Sequence, residues 1–172
     1  ETTEHFDLVV GNPPYIRYQY FDKEQQAEAD KIFKKAGLKY SKLTNAWVSF
    51  VVGSSLLLKE KGKIGFVIPA ELLQVSYAKQ LREFLAHFYN KINILSFKKL
   101  VFPNIQQEVV LLLCERNGSG SHLIEHLELR DASDLETLDV TRLKSPTKKI
   151  DLKANKWTYY FLEQEEIDFL EN

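Results

Sequence analysis

The sequence lacks the features of a disulfide-stapled or membrane-spanning protein. It contains a single cysteine, Cys114, so no disulfide can form within the chain, which favours a reducing compartment and a cytoplasmic location. Cys114 lies in an apolar run, which predicts a buried thiol. The longest apolar stretch, 46–58, is interrupted by serine and glycine and is too short to span a bilayer. We therefore expect no membrane partner.

Methionine and excess charge are also absent. The formal net charge is −1, so any contact with nucleic acid is expected to be local rather than a property of the whole surface. The chain has no methionine and begins Glu-Thr-Thr-Glu, from which we expect a piece of a longer protein with part of any active site elsewhere. A hydrophobic content of 44% is ordinary for a globular fold.

The most informative run that is present is Asn12-Pro13-Pro14-Tyr15, directly after an apolar strand predicted over 6–10. Two successive prolines cannot continue a central strand, because they lack N–H donors and fix φ. The strand must therefore end at Asn12, and in open α/β sheets ligands bind at the carboxyl ends of strands. The unbroken apolar character of 6–10 predicts burial on both faces.

Strand-like and helix-like patterns alternate along the chain. The predicted elements are strands over 6–10, 63–68, 91–97 and 108–114, and helices over 23–36, 46–60 and 70–89. Asp22 and Gln25 resemble a capping box, Asn45 is predicted to cap the second helix, and Gly62 is predicted to end it. This alternation predicts the α/β class with a parallel sheet, and the last two strands are joined too tightly to be anything but antiparallel.

Residues 117–121 read Asn-Gly-Ser-Gly-Ser and predict a boundary. Beyond this point the pattern weakens. A strand is predicted over 122–129, a short helix capped by Ser133 follows, and a polar helix is predicted over 163–171.

Four blocks in this order resemble the C-terminal part of the catalytic domain of amino-group N6-adenine DNA methyltransferases, especially the gamma-type enzymes of restriction–modification systems. The blocks are Asn12–Tyr15; Asn45–Phe50; Lys61–Pro69 followed by Leu81–Leu85; and Val101–Pro103 followed by Val109–Cys114. The likeness covers 6–116 and implies a partial Rossmann-like S-adenosylmethionine-dependent methyltransferase fold. It assigns 1–117 to the C-terminal half of the catalytic domain, 118–150 to a linker or the start of a target-recognition region, and 151–172 to the start of that region.

The family's glycine-rich cofactor loop lies upstream of the Asn-Pro-Pro-Tyr motif and is not in this sequence. The resemblance therefore implies that a missing N-terminal half supplies most contacts to S-adenosyl-L-methionine and that the isolated piece is inactive. Implied partners are double-stranded DNA and a fused or associated restriction nuclease. The strand over 6–10 would then expose an apolar edge where its neighbour is missing.

The resemblance also implies roles for single residues. The side-chain oxygen of Asn12, which would also lie against the cofactor, and the carbonyl of Pro13 would accept hydrogen bonds from the amine of a flipped-out adenine. Tyr15 and Phe102 would stack on that base, and Phe50 would pack against the adenine of the cofactor.

Plainer interpretations accompany several of these roles. Phe102 and Phe50 could be core aromatics, and the segment with Arg17, Tyr18 and Tyr20 could contact DNA or simply pack on its own domain. The basic stretch 142–153 fits an exposed linker better than a phosphate-binding surface. His122 and His126 have no partner cysteines nearby, so no metal site is expected.

Two other functions share this sequence pattern. The first keeps the chemistry and changes the substrate to a glutamine amide on a protein or a guanine amine in RNA. The second is a catalytically silent DNA-binding or scaffold module.

Overall fold

The computed structural model describes residues 5–39, 41, 44–102, 104, 106–117, 120–144, 147–152 and 156–171. The strands are β1 (Phe6–Gly11), β2 (Leu58–Pro69), β3 (Lys91–Phe97), β4 (Val109–Glu115), β5 (Leu123–Leu129) and β6 (Lys148–Lys149). The helices are α1 (Lys23–Lys35), α2 (Ala46–Leu56), α3 (Lys79–Phe88), α4 (Val140–Lys144) and α5 (Gln164–Glu171). Short 3-10 turns lie at Tyr18–Tyr20, Ala70–Leu73, Ser76–Ala78, Ala132–Thr137 and Thr158–Phe161. No helix within these ranges is both long and apolar enough to cross a membrane.

The six strands form one mixed sheet in the order β1-β2-β4-β3-β5-β6. β1 is parallel to β2 and β3 is parallel to β5, whereas β4 runs antiparallel to both β2 and β3. The predicted α/β class and the antiparallel pairing of the last two predicted strands are confirmed. Because β1, β2, β3 and β5 point the same way, their carboxyl ends meet at one edge of the sheet.

One face of the sheet carries the core. Successive strand side chains point to opposite faces, so alternate residues of β2 and β4 lie together and are buried. These residues are Ile64, Phe66, Ile68, Val110, Leu112 and Cys114. Helices α2 and α3 cover this face with Trp47, Val51, Leu81 and Leu85. Cys114 is buried as predicted, and its burial raises the pKa of the thiol.

The opposite face is open at β1. Leu8 and Val10 are 59% and 68% exposed, and β1 is the edge strand of the sheet. The prediction that this strand is buried on both faces is wrong, because within the described ranges no layer covers this end of the face. The predicted exposed apolar edge is confirmed.

The boundaries of α1 and α2 test the capping predictions. α1 begins with the predicted capping box, in which Asp22 and Gln25 exchange side chain–backbone hydrogen bonds. α2 ends at Leu56 rather than at 60, because Phe6 N donates to Leu57 O (2.8 Å) and β2 already begins at Leu58. Gly62 consequently lies inside β2 rather than at the end of a helix.

The helix predicted over 70–89 is broken. Two 3-10 turns precede α3, and Val75 between them is extended. The buried guanidinium of Arg82 donates from Nη1 to Leu72 O (2.8 Å) and to Val75 O (3.1 Å). Those bonds satisfy carbonyl groups that a continuous helix would have paired internally, which explains the break.

The sheet continues past the boundary predicted at residue 117. β5 pairs with β3 along its whole length, from Leu123 opposite Lys91 to Leu129 opposite Phe97. After β5 the chain crosses the partly open face, where Asn93 Nδ2 donates to Leu143 O (2.7 Å) in α4. Residues on both sides of position 117 therefore belong to the same sheet.

Candidate functional site

The Asn-Pro-Pro-Tyr motif leaves the sheet at the carboxyl end of β1. The last pairing of β1 joins Gly11 to Phe66, and Asn12 follows immediately. The Asn12 side chain is exposed and Pro13 is buried, so the amide is presented at the sheet edge on a rigid, anchored turn. An inward-pointing, sealed Asn12 would have excluded a role in binding.

Tyr15 folds back over this turn. Its hydroxyl oxygen lies 3.1 Å from Asn12 Oδ1 and 3.0 Å from the carbonyl oxygen of Val67. Val67 follows the last β2 residue that pairs with β1, so the tyrosine bonds to β2 where β1 has ended. The ring is half-buried, and desolvation raises the pKa of Tyr15. The motif is therefore attached to β1 by the chain and to β2 by the Tyr15 hydrogen bond.

An apolar groove of about 440 Å³ lies beside the motif. It runs between the segment after the motif, α1 and α2. Its lining residues are Pro14, Ile16, Phe21, Gln25, Glu28, Ala29, Ile32, Ala46, Ser49, Phe50, Gly53, Ser54 and Leu57. The structure thus brings Pro14 of the motif and Phe50, the predicted cofactor residue, to the same groove.

Phe50 is not a core residue. Its side chain is 50% exposed, whereas Trp47 and Val51 on the same helix are fully buried. A large apolar ring exposed on a groove wall is available for stacking, and the alternative that Phe50 only fills the core is wrong.

Phe102 lies at the same edge of the sheet but not in the groove. It is half-buried in the segment between β3 and β4, next to the carboxyl end of β3. Pro103, the other member of its predicted block, lies outside the described residues. Phe102 is not among the groove-lining residues, so its pairing with Tyr15 across a base stays a prediction.

Backbone pairing links the motif segment to the start of α2. Ala46 N donates to Ile16 O (2.8 Å), and Arg17 forms a bridge with Asn45. The Asn45 side chain makes no capping hydrogen bond, contrary to prediction, and its buried Oδ1 has no partner within the described ranges. These main-chain bonds fix the position of the helix that carries Phe50 relative to the motif.

Sequence reasoning missed a polar pair at this edge. Tyr77 Oη donates to Glu71 Oε2 in a very short hydrogen bond. Burial raises the pKa of Tyr77 strongly, and the bond to Glu71 adds to the rise, while the charge of Arg17 lowers it. Glu71 follows the carboxyl end of β2 as Asn12 follows β1, and that position in the predicted sheet was the signal that could have found it.

The aromatic residues after the motif divide into two kinds. Tyr20 is 71% exposed, whereas Tyr18 is half-buried and donates to Gln26 Oε1 (2.8 Å). Tyr18 therefore packs on its own domain, and Tyr20 is the aromatic residue of this turn that is exposed to a partner.

The two histidines of the C-terminal part face different neighbours. His122 Nδ1 is 2.8 Å from Tyr89 O, and His126 Nε2 is 2.8 Å from Ser96 Oγ. The ring of His126 stacks on Phe161, and burial lowers the pKa of His126 to about 4. In the described part of the chain, no three His, Cys, Asp or Glu side chains come together as a metal site would require.

The basic stretch 142–153 is not uniformly exposed. Lys148 is buried, and its Nζ donates to Tyr160 O (3.0 Å) and pairs with Glu125 Oε1 (3.3 Å). That lysine cannot follow a phosphate backbone, nor does it belong to a solvated linker. Lys153 lies outside the described residues.

The sequence matches the Eco57I restriction-modification methylase family over residues 1–102. It is 30% identical over 118 residues to the type II restriction enzyme and methyltransferase RM.Eco57I of Escherichia coli, covering 68% of this chain and 12% of that protein. It is 24% identical over 175 residues to the type II methyltransferase M.AccI of Acinetobacter calcoaceticus, covering 95% of this chain and 32% of that protein. The chain therefore spans a third or less of the length of these relatives.

Solved structures support the fold. A type I restriction-modification system methyltransferase subunit from Streptococcus thermophilus superimposes with a TM-score of 0.63 at 18% identity, covering 84% of this chain and 33% of that one. A class I S-adenosylmethionine-dependent methyltransferase, described as putative, from Listeria monocytogenes gives 0.53 at 15% identity, covering 73% and 38%. The sheet is thus that of S-adenosylmethionine-dependent methyltransferases, and the chain belongs to the Eco57I restriction-modification methylase family.

Proposed function

We propose that the protein is a site-specific DNA adenine-N6 methyltransferase of a restriction–modification system. The observation that carries this proposal is the exposed Asn12 amide at the carboxyl end of β1, followed by the buried Pro13 and held beside Tyr15. Family membership supports the choice of DNA over a protein glutamine or an RNA guanine as substrate.

The chemistry requires two hydrogen-bond acceptors rather than a strong base. The exocyclic amine of adenine is a poor nucleophile because its lone pair is delocalised into the ring. Asn12 Oδ1 and the Pro13 carbonyl accept one hydrogen bond each from the two N–H groups of this amine and draw the nitrogen toward tetrahedral geometry. Proline fixes φ and Pro13 is buried, so these acceptors need little reorganisation, which is the source of electrostatic catalysis.

The groove fits the adenosine part of S-adenosyl-L-methionine. Phe50 offers an exposed ring, and Pro14 and Ile16 complete an apolar wall next to the motif. When bound, this cofactor supplies a methyl group on a positively charged sulfur. The groove has few polar groups for the rest of the cofactor, and the relatives are at least three times longer than the matched part. We propose that residues outside these 172 supply those contacts.

The target adenine must leave the duplex to reach Asn12, and an extruded base is held by stacking. Tyr15 lies beside the acceptors and forms one wall of the base site, and Phe102 forms the second. Residues beyond β5, which include 151–172, begin a target-recognition region in this proposal. A restriction nuclease is a further proposed partner.

The proposed reaction is tested with the full-length protein, labelled S-adenosyl-L-methionine and a mixture of double-stranded DNA, RNA and protein acceptors. We expect label in DNA, recovered as N6-methyladenine after digestion to nucleosides. Label in RNA or in a glutamine would overturn the DNA proposal. No transfer to any acceptor would favour the silent module.

The Asn12→Ala variant of the same protein removes one acceptor. We expect methyl transfer to fall at least about tenfold, which corresponds to about 1.4 kcal/mol of transition-state stabilisation. DNA affinity should stay within about twofold, because backbone contacts dominate it. A smaller loss of rate would show that the role assigned to Asn12 is wrong.

A further inference from the structure

The Tyr15 hydroxyl has one proton but two neighbouring oxygen atoms. Its oxygen lies within hydrogen-bond distance of two oxygen atoms, Asn12 Oδ1 at 3.1 Å and Val67 O at 3.0 Å. A phenol has one proton, so it can fully satisfy only one of these acceptors. The other oxygen would then face a lone pair of the phenol.

The two neighbours differ in what they can offer. The carbonyl of Val67 is an acceptor in every state, whereas the amide of Asn12 carries an acceptor at one end and a donor at the other. The two ends have nearly the same shape, so their assignment follows from the hydrogen-bond network. Turning the amide by a half-rotation lets Asn12 Nδ2 donate to Tyr15 Oη while Tyr15 donates to Val67 O. Both contacts of the Tyr15 hydroxyl are then hydrogen bonds with one donor and one acceptor.

We propose that the Tyr15 hydroxyl is a positioning group that orients the Asn12 amide, so that its oxygen, not its nitrogen, faces the target amine. This inference rests on the proposed function. Asn12 is exposed as a residue, and once Nδ2 donates to Tyr15 the oxygen is the end of the amide that remains to accept from the target amine. In the opposite orientation, Asn12 Nδ2 would face the exocyclic amine of the target adenine. Two donor groups would then oppose each other, and binding of the base would be disfavoured.

Two further observations support this role. The anchor is the β2 backbone, which cannot rotate, so the orientation is set by the sheet. Half-burial raises the pKa of Tyr15, so the phenol keeps its proton and remains a donor near neutral pH. Stacking on a base requires only the ring of Tyr15, so the hydroxyl has a separable task.

The Tyr15→Phe variant of the full-length protein keeps the ring and removes the hydroxyl. We expect the single-turnover rate of methyl transfer to fall at least about fivefold, because the amide loses its preferred orientation. DNA affinity and extrusion of a fluorescent adenine analogue at the target position should stay within about twofold of the unsubstituted protein. Tyr89→Phe is the matched control, since Tyr89 Oη also donates a hydrogen bond within the fold, to Ser55 Oγ (2.7 Å), and has no part in the proposed site, so we expect no loss of rate.

A double-variant cycle isolates orientation from other effects. In an Asn12→Asp background both ends of residue 12 are acceptors, so no orientation can be wrong. There we expect Tyr15→Phe to cost less than about twofold in rate. Equal losses in both backgrounds, or a Tyr15→Phe protein with full activity, would overturn the positioning role and leave the proposed function intact. Failure of the unsubstituted protein to methylate adenine would overturn the proposed function itself.

Discussion

At the scale of single residues, substitution of Phe50 is expected to weaken cofactor binding without lowering the stability of the fold. Its ring is half-exposed on the groove, so Phe50→Ala removes a stacking surface without opening a core cavity. Stacking on an aromatic ring is worth about 1–3 kcal/mol, so we expect the KM for S-adenosyl-L-methionine to rise roughly fivefold to a hundredfold with little change in the melting temperature. Phe161→Ala, which removes a ring of similar exposure, is the control. Equal effects of the two substitutions on KM would contradict a specific role for Phe50.

The sequence was enough to predict several residues that the structure places together at the end of β1. Asn12, Pro13 and Tyr15 are adjacent and end a strand, and Phe50 opens from a helix that follows. It was not enough to find Val67, whose contribution is a main-chain carbonyl placed by strand pairing. A partner of that kind has no side-chain signature, so only the register of β1 on β2 reveals it.

At the scale of elements, local patterns predicted most boundaries closely but failed where α2 ends and β2 begins. The predicted strands over 91–97 and 108–114 agree with β3 and β4 to within one residue. The apolar run after 46 predicts one helix up to 60, but its last residues belong to β2, where Leu58 pairs with Phe6 of β1. The periodicity of a segment carries no information about strands that pair with it from elsewhere in the sequence. Boundaries of this kind therefore depend on tertiary structure.

The docking of the C-terminal segment on β5 is expected to depend on pH. His126 of β5 stacks on Phe161, and burial lowers the pKa of His126 from 6.5 to about 4. Below about pH 6.5, His126 binds a proton in the unfolded chain but stays neutral in the folded chain. The free energy of unfolding should therefore fall as the pH is lowered from 6.5 to 4.

Urea unfolding of the 172-residue chain, followed by tryptophan fluorescence at pH 7 and pH 5, measures this dependence. We expect a His126→Gln variant, which keeps a hydrogen-bonding group near Ser96, to lose less stability at the lower pH than the unsubstituted chain. Equal losses at pH 5 would show that protonation of His126 is not the cause of the loss of stability.

At the scale of the whole molecule, the sheet is protected unevenly. At one edge lies the two-residue strand β6 with the buried Lys148, whereas at the other edge β1 has no second strand partner among the described residues and carries the exposed Leu8 and Val10. An exposed, apolar edge strand is a template for pairing with another chain. The chain also spans at most a third of the length of the relatives described above. β1 is therefore the strand of this sheet that is open to pairing with another strand.

The isolated 172-residue chain is therefore expected to self-associate through β1. Sedimentation over a range of concentrations should detect dimers or larger species. A Leu8→Lys, Val10→Lys double variant should shift the population toward monomer, because two charges on the open face oppose strand pairing. A matched pair of lysines at Leu135 and Leu152, which are exposed elsewhere, should leave association unchanged. A chain that sediments as a single monomeric species at all concentrations would show that β1 is a protected edge, and the open face would then need no partner.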